Sequence, residues 1–137
     1  MVLARLAHLF LLGLWGGLVL GEIVLELTAT DEASRRHAAR LHYWLDLCVE
    51  LPLLVGVVSS GVVLAWLVWP LSWLHGVKLA LAGVALGCNA VCVVLVIRRR
   101  QTQGDDLLRW ARRVRWTGAG IPFGAAALGM GLWFFHR

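Results

Sequence analysis

The chain is predicted to be all-α, an antiparallel bundle of four transmembrane helices with both termini outside, on three observations: composition, four apolar runs of membrane length, and the placing of the arginines. Its 137 residues are 60% hydrophobic and include eight Trp, and the mean hydropathy is +0.77. That is too apolar for a soluble domain and too short for more than one bundle. The spans are drawn at about 6–28, 51–69, 73–97 and 116–135, each near the roughly 20 residues that a bilayer requires, within a single domain, 1–137. Arg35, Arg36 and Arg40 lie between spans one and two, and Arg98, Arg99, Arg100, Arg109, Arg112, Arg113 and Arg115 between spans three and four. The turn Pro70-Leu71-Ser72 carries no charge. The positive-inside rule then puts the arginine-bearing loops in the cytoplasm of a bacterial inner membrane. The net charge of +5 is thus a topology signal, with membrane lipid as the expected partner and no nucleic acid.

Span one has two faces. Taking about 100° per residue, Trp15, Glu22 and Glu26 fall within roughly 40° of His8, while Gly13, Gly17 and Gly21 lie near 180° from it. An ionisable group in hydrocarbon costs a few kcal/mol or more, so the polar stripe is expected to face a protein interior. The glycines form two GxxxG steps, and they are expected to dock a second protomer or another subunit, or to pack within the bundle against span four. Arg5 is followed by a long span with two Glu, unlike a cleaved signal peptide, so the first helix is expected to be retained.

Residues 31–47 read as an amphipathic extension of span two, with Thr30 or Asp31 as N-cap and Leu41, Trp44, Leu45 and Cys48 at helical spacing. Spans two and three join through the short uncharged turn. Span three carries His75, Lys78 and Asn89 in one sector with Ala82 and Ala85 between them. Cys88 and Cys92, one turn apart, are read as packing residues, with a soft-metal pair as the alternative. Residues 101–106 form the clearest loop, broken at Gly104, and Leu107 to Trp116 a basic helical lead-in to span four. There Pro122 suits a first turn and Gly120/Gly124, Ala125/Gly129 and Ala127/Gly131 invite close backbone approach.

Two groups of residues suggest chemistry. Toward the outer face, His8 and His75 stand at matching depths on two helices and suit bis-histidine ligation of a b-type haem, the leading cofactor. Lys78 would neutralise an anionic group there, and Trp15 would pack against the macrocycle or lie between the two sites. With His136 the same residues would form a three-histidine copper or zinc site. Toward the inner face, Glu22 and Glu26 on span one and His42, Asp46 and Glu50 on successive turns of the second helix could meet, and of these Glu22, Glu26, His42 and Glu50 could hold a divalent metal or relay protons. Asp46 is expected to pair with an interfacial arginine, from Arg40, Arg98, Arg112 or Arg115. At about 1.5 Å rise per residue, His8 and Glu26 are roughly 27 Å apart, so the stripe serves two sites.

The string from His8 through Trp15-Gly16-Gly17-Leu18 resembles the first helix of four-helix bacterial membrane proteins that include copper-resistance D-like proteins and HemJ-type protoporphyrinogen oxidases. Trp73-Leu74-His75-Gly76-Val77-Lys78-Leu79 is similar to their third-helix segment. The resemblance implies a membrane bundle that handles haem, porphyrin or copper, with His8 and Lys78 at matching positions and His75 near one. The oxidases carry a Pro-Arg pair where this chain has Ile23 and Val24, and their His-x-Lys is here His-x-x-Lys. The acidic stripe has no counterpart in the resemblance. The expected function is haem or metal binding for electron transfer or porphyrin or copper handling, as an oxidoreductase if an enzyme. An accessory subunit docking through its glycines, or a proton or divalent-cation transporter using the acidic cluster, is the alternative.

Overall fold

The structure, a computed structural model, describes residues 1–100, 102 and 106–136, apart from the side chains of Leu107, Phe135 and His136. The described residues are helical almost throughout: α1 Val2–Thr28, α2 Glu32–Leu45, a π-helical turn Asp46–Glu50, α3 Leu51–Leu67, α4 Trp73–Arg100, α5 Asp106–Thr117, a 3₁₀ turn Gly118–Gly120, and α6 Ile121–His136. Four continuous helical stretches are long and apolar enough to cross a membrane: Val2–Thr28, Glu32–Leu67, Trp73–Arg100 and Leu108–Phe134. The second and fourth extend well beyond the predicted spans because their amphipathic lead-ins continue the helix without a break. The predicted break at Gly104 lies outside the described residues.

Asp31 starts α2 as expected. Its carboxylate accepts the Ser34 N–H at 2.9 Å, and the Ser34 hydroxyl accepts the Asp31 N–H at 3.1 Å. Those hydrogen bonds favour the charged carboxylate and hold its pKa below the usual value. A depressed folded-state pKa contributes stability above the unfolded value and loses it as the pH falls through the folded one. Protection factors of the amides in the first turn of α2, corrected for the intrinsic exchange rate, should therefore be higher at neutral pH and fall below about pH 4; in Asp31→Ala they should be low at both.

The π turn has a local cause. Pro52 has no N–H to donate to the carbonyl of Cys48, and its ring crowds that carbonyl. The ladder widens instead, and the Leu51 N–H bonds to Asp46 O, five residues back. The wider turn still leaves His42, Asp46 and Glu50 all buried on one side. The face of α2 differs from expectation. Leu41, Trp44 and Cys48 are exposed, while Ala38, Ala39 and His42 are buried. In a chain whose surroundings are lipid, the large apolar residues turn outward and the small and polar ones line the interior.

The helices associate as two hairpins, α1 against α3 and α4 against the α5–α6 stretch, joined chiefly by α2 lying on α4 and α5. The hairpins close at the end that carries the arginines and splay toward the end that carries both termini. Two cavities occupy the space between them. One, of about 780 Å³, lies between α1 and the α5–α6 stretch and reaches Glu22, Glu26, His42 and Glu50. The other, of about 510 Å³, lies toward the terminal end beside His8 and His75. Leu12, Trp15, Ala85, Gly124 and Leu128 border both.

Small residues act differently on the two hairpins. A Cβ on Gly120 would stand 2.6 Å from Cys88 Cβ, and one on Gly124 3.5 Å from Ala85 Cβ, so α6 and α4 meet at close backbone approach as expected. Gly13, Gly17 and Gly21 would meet nothing within 4 Å. Packing of that ridge against span four is therefore not found. Gly120→Ala should destabilise the protein by about 1–3 kcal/mol through overpacking, whereas Gly17→Ala should leave the isolated chain's unfolding midpoint unchanged or slightly raised. Thermal unfolding in one detergent checks both.

Candidate metal centre

Three helical stretches bring their polar faces together near the arginine end. Glu22 and Glu26 come from α1, one turn apart. His42, Asp46 and Glu50 follow at four-residue steps along α2 and the π turn, and Asn89, Cys92 and Arg99 lie along one side of α4. Asp46, Glu50 and Arg99 are each only 1% exposed, and Glu22, Glu26 and His42 are buried beside them.

Glu26 organises one side of the cluster. It accepts Arg99 Nη1–H at 2.5 Å and lies 2.9 Å from His42 Nδ1. Arg99 also donates to the Arg35 carbonyl at 3.3 Å, which ties α4 to α2. A carboxylate so paired is an acceptor, so His42 Nδ1 carries the proton and donates it. This leaves His42 Nε2 aimed at the rest of the cluster. Around it stand Asp46 Oδ1 at 3.4 Å, Glu22 Oε2 at 3.7 Å and Cys92 Sγ at 4.0 Å.

The separation from Asp46 is that of a tetrahedral edge, and those from Glu22 and Cys92 are longer by about 0.3 and 0.4 Å. Metal–nitrogen and metal–oxygen bonds near 2.1 Å and metal–sulfur bonds near 2.3 Å give tetrahedral edges of about 3.4 Å for nitrogen to oxygen and about 3.6 Å for nitrogen to sulfur. The ligand atoms of His42, Asp46 and Cys92 all lie within 4.8 Å of one another, as do those of Glu22, Asp46 and Glu50. Several oxygens also have no hydrogen bond: both of Asp46, Oε1 of Glu22 and Oε2 of Glu26. Buried polar atoms are normally satisfied, and orphaned ones mark a place where a further group belongs.

Glu50 is held on the far side. Its Oε1 accepts Trp15 Nε1–H at 2.8 Å and Asn89 Nδ2–H at 2.5 Å. Trp15 thus stands between the two cavities with its indole N–H committed to the inner cluster.

The histidines of the terminal end are further apart in role. Ser60 Oγ donates to the Gly56 or Val57 carbonyl, so His8 Nδ1, 2.8 Å away, donates to Ser60. The His8 ring covers Gly61, where a Cβ would come within 3.3 Å of it. His75 lies 2.7 Å from Ser72 Oγ and stacks on Phe134 with ring centres 4.4 Å apart. His8, His75, Lys78 and Trp15 do border one cavity, but among the described residues these histidines belong to no group of three converging donors. The His136 side chain, expected as a third ligand, lies outside the described residues.

The structure corrects two sequence expectations and adds residues. Asp46 makes no ion pair with an arginine; it faces His42 and Glu22 instead, because the helical step from His42 turns it inward. Cys92 is at the cluster, with its sulfur toward His42. Arg40, Arg98, Arg112 and Arg115 are exposed, and the buried arginine is Arg99, hidden in the sequence by its neighbours Arg98 and Arg100. The four-residue spacing of His42, Asp46 and Glu50 already puts Asp46 within reach of the cluster. Nothing local distinguishes Arg99.

Fold and site together define an all-helical chain of four membrane-length apolar helices enclosing a buried carboxylate, imidazole and thiol cluster. No model of a known protein family, no curated protein and no solved structure matches it.

Proposed function

We propose that this is an integral membrane metalloprotein, of a bacterial inner membrane by its arginine distribution, holding a divalent transition-metal ion between His42 Nε2, Asp46 and Cys92, with Glu22 beside His42 as the nearest further donor. The carrying observation is the orientation of His42. Its Nδ1–H is fixed by Glu26, itself fixed by Arg99, and its Nε2 lone pair faces the Asp46 carboxylate and the Cys92 sulfur, which converge with it, and lies 3.7 Å from Glu22. A carboxylate that orients a metal-binding histidine in this way is the usual outer-shell arrangement of such sites. A mixed nitrogen, oxygen and sulfur donor set suits zinc, iron or cobalt better than magnesium or calcium. Charge points the same way. Glu22, Glu26, Asp46 and Glu50 face a single buried arginine, and in so dry a place the excess must be balanced by bound cations or protons. The apolar cavity beside the ion gives a lipid-soluble substrate or redox partner access to it.

The test uses Co²⁺ as a spectroscopic probe on detergent-purified protein. Binding of about one equivalent with visible bands of a four-coordinate ion is expected, together with a thiolate-to-cobalt charge-transfer band. Cys92→Ser should lose the charge-transfer band and keep the ion, and His42→Ala should bind far more weakly. Failure of the wild-type protein to bind Co²⁺, Zn²⁺ or Fe²⁺ overturns the reading. A proton relay is the second reading, favoured by the closeness of Glu26, Asp46 and Glu22 to the two ring nitrogens of His42. In that case His42 is doubly protonated, no metal is retained, and Glu22→Gln abolishes proton flux in vesicles.

A further inference from the structure

The cavity toward the terminal end has the opposite electrostatic character to the metal centre. Its walls are apolar, and the ionisable side chains on it are Arg5, His8, His75 and Lys78, with no carboxylate among the described residues that line it. Neither Arg5 nor Lys78 has a hydrogen-bond or ion-pair partner among the described residues. A lysine that only snorkelled would extend along its own helix toward the membrane surface. Lys78 instead reaches across to α6. Its ammonium lies 3.2 Å from the position of a Cβ on Gly131, so the glycine leaves room for the charged head against the opposite helix. The cation is thereby held at the edge of a cavity of about 510 Å³, within the size range of small-molecule sites.

The cavity also has a direction. From Lys78 its walls run inward through Ala82 to Leu12, Trp15, Ala85 and Leu128, the residues that it shares with the inner cavity. Beyond the basic mouth the wall offers hydrocarbon and one indole. An occupant that satisfies both parts has an anionic head and a single apolar chain.

We infer that this cavity is a binding site for a single-chain amphiphile with an acid headgroup, the head on Lys78 and Arg5 and the chain running inward between the two hairpins. A carboxylate and a phosphate head share the chemistry that an ammonium and a guanidinium recognise. A neutral head would leave Lys78 without a counter-charge in a mostly apolar cavity, at a cost. The inference does not depend on the metal centre, which is built from other residues.

The experiment measures binding of palmitate, of palmitoyl lysophosphatidate and of hexadecanol to the detergent-purified full-length chain by isothermal titration. At least one acid-headed probe is expected to bind about tenfold or more tighter than hexadecanol, the order of one charge-assisted hydrogen bond. Lys78→Gln should abolish that preference, and Lys78→Arg should restore most of it. Ala82→Phe, which narrows the chain path without touching a charge, should weaken the acid-headed probes and hexadecanol alike. Equal binding of hexadecanol and the acids overturns the proposal, as does an undiminished preference in a Lys78→Gln protein that retains the wild-type helical circular dichroism. A Soret absorbance in the purified protein that vanishes in both His8→Ala and His75→Ala also overturns it, since the cavity would then belong to a tetrapyrrole.

Discussion

Asp46→Asn should reduce metal affinity by more than about 100-fold, beyond the roughly 10–100-fold that loss of an outer-shell partner costs. Asp46 is 1% exposed with both oxygens lacking hydrogen bonds, and it is common to both groups of converging ligand atoms. The amide preserves size but replaces one carboxylate oxygen by a donor nitrogen. It also removes one negative charge from a cluster with an excess of them, so the variant protein should be at least as stable as the wild type without metal. The pairing of lost affinity with retained stability separates a ligand from a structural residue. Glu26→Gln should fall in the smaller range, because Glu26 acts on the ion only by holding His42. Competitive titration with a chromophoric zinc chelator, alongside thermal unfolding of the metal-free proteins, measures both quantities. An Asp46→Asn protein with wild-type affinity would remove Asp46 from the site.

Arg99→Met should destabilise the metal-free protein by about 3–5 kcal/mol, the usual cost of breaking a buried pair from one side. The guanidinium is 1% exposed and bonds both the Glu26 carboxylate and the Arg35 carbonyl. Its removal leaves Glu26 charged and buried with only His42 beside it, and it cuts one tie between α2 and α4. Combining Arg99→Met with Glu26→Gln removes both charges and should restore much of the loss, leaving the Arg35 contact as the remainder. Additive effects in this double-mutant cycle would mean that the two side chains are not coupled. Denaturant unfolding in a single detergent gives all four stabilities.

Much of the inner cluster was legible because helical periodicity is a local property. Glu22 and Glu26 share a face of α1 for the same reason that His42 and Glu50 share a face of the second span, and lipid forbids such groups on the outside. Asp46 obeys the same four-residue spacing, but spacing alone does not separate a cluster residue from an interfacial partner of arginine; the packing of the helices does. Cys92 and Arg99 were not legible. A thiol among alanine and valines in an apolar helix looks like any small packing residue, and an arginine inside a run of three looks like headgroup contact. Only the approach of α4 to α1 and α2 shows that one of the three points inward.

The histidines of the terminal end show the limit from the other side. Equal depth on two helices suggested one ligand between His8 and His75, and both do border one cavity. His8 is held through Nδ1 by Ser60, which leaves its Nε2 free among the described residues, and His75 lies against Ser72 and Phe134, partners that no depth argument anticipates. The glycine ridge divides similarly. Its place opposite the polar stripe follows from 3.6 residues per turn, but whether another helix of the same chain covers it depends on where the second hairpin lies. In this fold that hairpin leaves Gly13, Gly17 and Gly21 clear.

The sequence by itself determined the helical class, the four membrane-length runs, the cap at Asp31 and the buried polar stripe of α1, since hydropathy and backbone geometry act over a few turns of one chain segment. The tertiary structure alone decided that the hairpins splay into two cavities of opposite charge character, that Arg99 rather than its neighbours meets Glu26, and that His42 Nε2 looks toward Asp46, Glu22 and Cys92. Those facts depend on distances between residues as far as 73 positions apart, set by how whole helices pack, and no periodicity within a helix encodes them.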